Sequence, residues 1–199
     1  MSAIILRGGV EVENPLELTL EFLAAYPGEA DSSASAESFD ESDLRLANRG
    51  GARISAVEIE AILERRDQIE RALSKVPADA SLADSTSSIP WIPLALLFDA
   101  FADIRGVGFA KMTKALYPKR PALIPMLDSV VQTYLETDEP GTRSPGSFGE
   151  RAIELVTRYK RDLDRNRSVL HEVQRELTSR TYRLTEVRIL DLVIWSVCR

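Results

Sequence analysis

The 199 residues are 44% hydrophobic and 28% charged, enough for one well-buried core and short for two. No apolar run approaches the roughly 18–20 residues that span a bilayer, and one cysteine (Cys198) with one histidine (His171) excludes a disulfide framework or a Cys/His metal cage. A net charge of −6 argues against indiscriminate coating of nucleic acid. The opening residues MSAIILRGG have neither a basic start nor a long apolar centre, so no secretory leader is expected. A reduced, cytoplasmic protein without cofactor, structural metal or membrane contact is the expectation.

In chain order, AIILRGGVEVE has apolar residues around Gly8-Gly9, compatible with a short hairpin or an extended arm. Asn14-Pro15 opens a helix through LELTLEFLAAY, with Asn as cap and Pro in the first turn, stopped by Pro27-Gly28. Residues 28–38 read as a polar loop. FDESDLRLANRGG predicts a short helix stopped by Gly50-Gly51. Ser55 and Glu58 form an S-x-x-E capping box at the head of a long helix running to about Lys75. Residues 77–88 read as a flexible stretch, and WIPLALLFDAFADI as an apolar helix running up to a Gly-Val-Gly turn.

FAKMTKALY predicts a further helix. The prolines of PKRPALIP forbid one, and DSVVQTYL resumes it. After a loop over 136–149, ERAIELVTRYKRDLDRNRSVLHEVQREL predicts one long amphipathic helix, and LTEVRILDLVIWSV a buried apolar one. The fold class is all-α: a single domain over 1–199 with about eight helices and a minor strand pair.

Charge is unevenly placed. Residues 1–104 hold 8 basic and 19 acidic residues, a net of −11; residues 105–199 hold 17 and 12, a net of +5. The sign changes where Arg105, Lys111, Lys114, Lys119 and Arg120 meet no acid between them. Either the C-terminal half takes an anionic partner, or the two halves attract each other.

Helix, then Ile104-Arg105-Gly106-Val107-Gly108, then helix is the pattern of a helix-hairpin-helix. Glycines let the backbone turn tightly and approach a ligand. The amides opening the second helix suit a phosphate, and Lys111 and Lys114 can lie along a nucleic-acid backbone. Such contacts position a duplex without reading its sequence.

Over residues 90–135 the chain resembles the helix-hairpin-helix base-excision DNA glycosylases. Ile104–Gly108 matches their hairpin, with Arg105 in place of the usual proline. Leu127-Asp128-Ser129-Val130-Val131 matches their aspartate motif, Asp128 standing 20 residues after Gly108. The resemblance implies duplex DNA held by Arg105, Gly106, Val107, Gly108, Lys111 and Lys114. It also implies Asp128 as the carboxylate that assists departure of an extruded base. Ala110 stands where bifunctional members carry a nucleophilic lysine, and Lys111 is about 100° further round the helix. Any enzyme would therefore be a monofunctional N-glycosylase. FDESDLRLANRGGARIS and RILDLVIWS resemble an uncharacterised bacterial family known only as a domain of unknown function, which implies no activity.

Other residues weigh toward ordinary roles. Asp128 also serves as an N-cap for SVVQTYL, a duty compatible with chemistry. His171 reads as a surface residue, Trp91 and Trp195 as core anchors, and Glu60, Glu64 and Asp67 as a charged surface rather than metal ligands. RYKRDLDRNR, residues 158–167, reads as a solvated face with i,i+4 pairs such as Lys160–Asp164. Tyr117, Gln132 and Tyr134 are the nearest side chains able to hold a flipped base. The alternative to DNA binding is a non-enzymatic protein-interaction or scaffold module contacting its partner through the acidic N-terminal half.

Overall fold

In the computed structural model, which describes residues 3–25, 37–137 and 146–198, the chain starts as a strand pair. β1 (Ile4–Ile5) and β2 (Glu11–Val12) are antiparallel, with Ile4 opposite Val12. Gly8 and Gly9 turn the chain between them at φ of 70° and 74°, a region that strongly favours glycine. Ten α-helices follow among the described residues: α1 (Pro15–Ala25), α2 (Glu41–Arg49), α3 (Ala56–Leu63), α4 (Arg66–Leu73), α5 (Trp91–Asp99), α6 (Phe109–Leu116), α7 (Ser129–Glu136), α8 (Phe148–Arg165), α9 (Arg167–Ser179) and α10 (Glu186–Cys198). They share one hydrophobic core, so the all-α, single-domain expectation holds. The Pro27-Gly28 stop lies outside the described residues, as do most of the loop over 28–38 and much of that over 136–149.

Both predicted long helices are broken, which makes ten of the expected eight. The first divides at Glu64 and Arg65, where Arg65 leaves helical geometry at φ −99° and ψ 11° and its guanidinium bonds the Ala102 carbonyl. The second divides at Asn166, at φ −104° and ψ 8°. The Asn166 amide donates to Ile5 O at 2.9 Å and accepts from Ile5 N at 2.7 Å, so the break docks the N-terminal strand. The apolar helix expected to reach the glycine turn ends earlier, at Asp99. Asp99 instead receives Gly149 N at 2.6 Å and Ser147 Oγ at 2.9 Å, holding the start of α8. At that crossing Gly149 lies so close to Ala95 O that a Cβ would collide with it.

The N-terminal arm is anchored by a buried charge. Arg7 is 7% exposed, and its Nε lies 2.7 Å from Asp162 Oδ2, while Nη2 donates to Arg158 O. The 158–167 cluster is accordingly a solvated face only in part: Arg161, Asp164, Arg165 and Arg167 are exposed and the expected Lys160–Asp164 pair forms at 2.8 Å. Arg158, Lys160 and Asp162 are buried because the arm covers one side and residues 82–84 the other, Lys160 Nζ donating to Leu82 O and Asp84 O. The stretch over 77–88 is likewise docked: Leu82 is fully buried and its N–H donates to Ala122 O. Trp91 and Trp195 are only partly buried, Trp195 edge-on to Phe22 at 5.6 Å between centroids.

Candidate functional site

Around the glycine turn, the physical origin of the hairpin is local. Asp103 and Gly106 both take positive φ, 60° and 83°. α6 then opens at Gly108, whose extended backbone provides no side-chain cap to the first amides. Arg105, Gly106 and Gly108 are exposed or half-exposed, while Val107 is buried at 7%.

A carboxylate occupies this turn. Glu58 Oε1 lies against Gly106 where a Cβ would collide with it. The same carboxylate holds Lys111 Nζ at 2.6 and 2.7 Å. Glu58 completes the predicted capping box of α3, Oε2 accepting from Ser55 N at 2.8 Å. Burial pushes the Glu58 carboxyl up, but hydrogen bonds from Lys111 and Ser55 outweigh it and leave the pKa below its ordinary value.

The remaining basic residues of the stretch are also engaged. Lys114 Nζ donates to Gly50 O at 3.1 Å, at the C-terminus of α2, where a cation suits the helix dipole. Lys119 is buried and pairs with Asp43 at 2.7 Å. Arg120, 3% exposed, donates to the carbonyls of Leu73 and Val76 and so caps α4. Two of these contacts, Lys111–Glu58 and Lys119–Asp43, join an acid of the N-terminal half to a base of the C-terminal half, as mutual attraction of the halves requires.

The contact with Gly50 brings further charge to the hairpin that sequence spacing did not show. Arg49 and Arg53 flank the Gly50-Gly51 pair that sits against Lys114, and both are exposed. Arg53 is held at φ 56°, in the left-handed region. No single window of sequence joins residues 49–53 to residue 114.

Asp128 caps α7 as expected, its Oδ1 accepting from Val130 N and Val131 N at 3.1 Å. It is half-buried. Three elements hold its segment: Thr113 Oγ1 accepts from Leu127 N, Gln132 Nε2 donates to Leu127 O, and Asp191 Oδ2 accepts from Met126 N at 3.2 Å. Asp191, on α10, is 3% exposed. Burial drives its pKa up to about 7, with the Asp128 charge adding to the rise and Arg188 opposing it. Its signal in sequence was a lone acid inside the apolar run ILDLVIW.

Of the side chains considered for a flipped base, Tyr134 is spent elsewhere, its buried hydroxyl between Arg7 N and Asp162. Gln132 is committed to Leu127 O, and Tyr117 lies under the Arg188 guanidinium at 5.6 Å. Two open clefts lie away from Asp128. One, of about 1060 Å³ between α2 and α3, has Ile59 and Leu63 on its floor and Arg45, Arg49, Glu60 and Glu64 at its rim. The other, of about 760 Å³, is lined by Arg165, Arg167, His171 and Glu186. His171 is exposed as expected, its Nδ1 3.2 Å from Glu186 Oε1. Among the described residues no group of three His, Cys, Asp or Glu is placed to hold a metal, and no helix is long and apolar enough to cross a membrane.

A family model described as a family of unknown function (DUF6308) matches residues 17–198. No curated protein and no solved structure matches the chain.

Proposed function

We propose, for a chain that belongs to the DUF6308 family of unknown function, a role as a duplex-DNA-binding protein that grips the phosphate backbone beside its glycine turn. The observation that carries the reading is the contact of Lys114 with the Gly50-Gly51 turn. It brings the Gly50-Gly51 turn, flanked by the exposed Arg49 and Arg53, against α6, and on this reading those arginines join Lys114 in one basic edge built from residues far apart in sequence. Arg105, on the turn itself, extends that edge. The left-handed Gly106 and the α6 amides without a side-chain cap suit close approach of a phosphate. Contacts of this kind orient a duplex and are indifferent to its sequence.

The reading assigns binding rather than chemistry. Asp128 meets the geometric demand of a cap, and the glycosylase role implied by the resemblance is a separate proposition with its own test. An abasic-site assay over a panel of damaged duplexes should yield product that Asp128→Asn abolishes if Asp128 assists base departure; no product on any lesion leaves backbone binding alone.

Binding itself is tested by fluorescence anisotropy with two duplexes of unrelated sequence. Arg53→Glu and Lys114→Glu should each weaken both complexes to the same degree. Equal affinity of parent and variants would remove the hairpin edge as the contact. A protein-interaction module is the second reading, favoured by the apolar floor of the α2–α3 cleft within the acidic half. Under it, Ile59→Asp would abolish partner binding while duplex DNA is not bound at any salt.

A further inference from the structure

Lys111 is the basic residue closest in sequence to the hairpin on α6, yet its charge is already matched. Both Glu58 oxygens lie within hydrogen-bond distance of its ammonium, with side-chain exposures of 22% for Lys111 and 13% for Glu58. The carboxylate rests on Gly106, in the space that a side chain at that position would fill. Glu58 and the carbonyl that holds Lys114 belong to one continuous piece of chain. Gly50 O opens it, Arg53 lies within it, and Ser55 to Glu58 closes it as the capping box of α3. One short segment therefore supplies the acceptors for both lysines of α6.

We infer that Glu58 is a built-in occupant of the hairpin's anion position, and that a DNA phosphate reaches Lys111 by taking the place of the Glu58 carboxylate. This rests on the backbone-gripping reading above and adds a regulatory element to that site. The exchange conserves charge at Lys111: one anionic oxygen group leaves the ammonium as another arrives. Glu58 keeps a second anchor during the exchange, because Ser55 N–H still donates to Oε2 at 2.8 Å. The free protein thus presents a hairpin neutral at Lys111, with Arg49, Arg53 and Arg105 providing the first attraction.

The test substitutes Glu58→Gln, which removes the charge but preserves the capping box, since glutamine serves at that position as glutamate does. A fluorescein-labelled duplex is titrated with parent, Glu58→Gln and Glu58→Gln/Lys111→Gln proteins over a range of salt concentrations, circular dichroism confirming helicity. In the variant no carboxylate is set free to recapture a cation, so the Lys111–phosphate contact should count in full, steepening the slope of log affinity against log salt by about 0.9 and tightening binding about fivefold near physiological salt. The double variant should lose that gain. If Glu58→Gln binds like the parent while Lys114→Glu still weakens binding, the exchange is overturned and the backbone grip stands. If neither parent nor Glu58→Gln binds at low salt, the exchange and the grip fall together. Glu58→Ala provides a second variant, expected to show the same steeper slope whatever the state of the cap.

Discussion

At the scale of single residues, Asp191 shows how packing sets chemistry. Its carboxyl is carried inside by a largely apolar helix and meets the Met126 N–H and the Tyr159 hydroxyl, with Arg188 4.0 Å away. Burial dominates, and its pKa rises to about 7. Because the folded value exceeds the ordinary carboxylate value of about 3.9, the folded state binds the proton more tightly. The resulting stability is full below about pH 4 and is lost as pH rises through about 7, by up to about 4 kcal/mol. Thermal melts between pH 4 and 8 should show the parent losing stability against Asp191→Asn as pH increases; parallel curves would mean that Asp191 is already charged when buried.

Gly106 supplies a second case at this scale. Its φ of 83° and its contact with Glu58 both exclude a side chain, so Gly106→Ala should destabilise by about 1–2 kcal/mol from backbone strain alone. Displacement of Glu58 adds to that. Denaturant melts of Gly106→Ala, Glu58→Ala and the double variant separate the parts: a double variant less destabilised than the sum of the two single ones measures the steric share.

At the scale of elements, helix starts were legible and helix breaks were not. Asp128, Ser55 and the Pro15 turn announced themselves because capping is a local bargain between neighbouring residues. The break at Asn166 depends on Ile5, 161 residues away in sequence, whose strand the amide holds. The early end of α5 likewise depends on α8, which takes Asp99 as its anchor. The buried face of α8 was misjudged for the same reason. Charges spaced for i,i+4 pairing look solvated until a distant segment covers them. Arg7 is the test: with its guanidinium removed, the buried Asp162 keeps only the Tyr134 hydroxyl and the partly exposed Arg165, each at 3.2 Å, so Arg7→Ala should cost about 3 kcal/mol. Replacing both partners, Arg7→Met/Asp162→Leu, should recover much of that loss in urea melts. A loss below 1 kcal/mol for the single variant would mean that the arm docks without its charge.

At the scale of the whole molecule, the uneven charge visible in the sequence serves partly to join the halves. Asp43 and Glu58, from the acidic half, hold Lys119 and Lys111. Lys119–Asp43 lies in the interior at 1% and 4% side-chain exposure, where salt screens weakly. Lys119→Ala should therefore destabilise by about 3–5 kcal/mol, by nearly the same amount in low and high salt. An effect that vanishes in about 1 M salt would mean that the pair is open to solvent. What sequence composition could not separate was internal from external charge. Arg49, Arg53 and Arg105 remain on the surface beside the hairpin while Lys119 and Arg120 are buried. The aspartate cap and the all-α class were legible from spacing. The approach of residues 49–53 to α6 was not, because it depends on one long-range contact, Lys114 with Gly50.

The proposed basic edge is tested most directly by the salt dependence of duplex binding. Counterion release gives a log–log slope of about −0.9 for each phosphate contacted. Arg49, Arg53, Arg105 and Lys114 together therefore predict a slope of about −3 to −4 for the parent. Arg49→Glu/Arg53→Glu should flatten it by about 2. A slope near zero, or one unchanged in that double variant, would contradict a backbone grip at the hairpin.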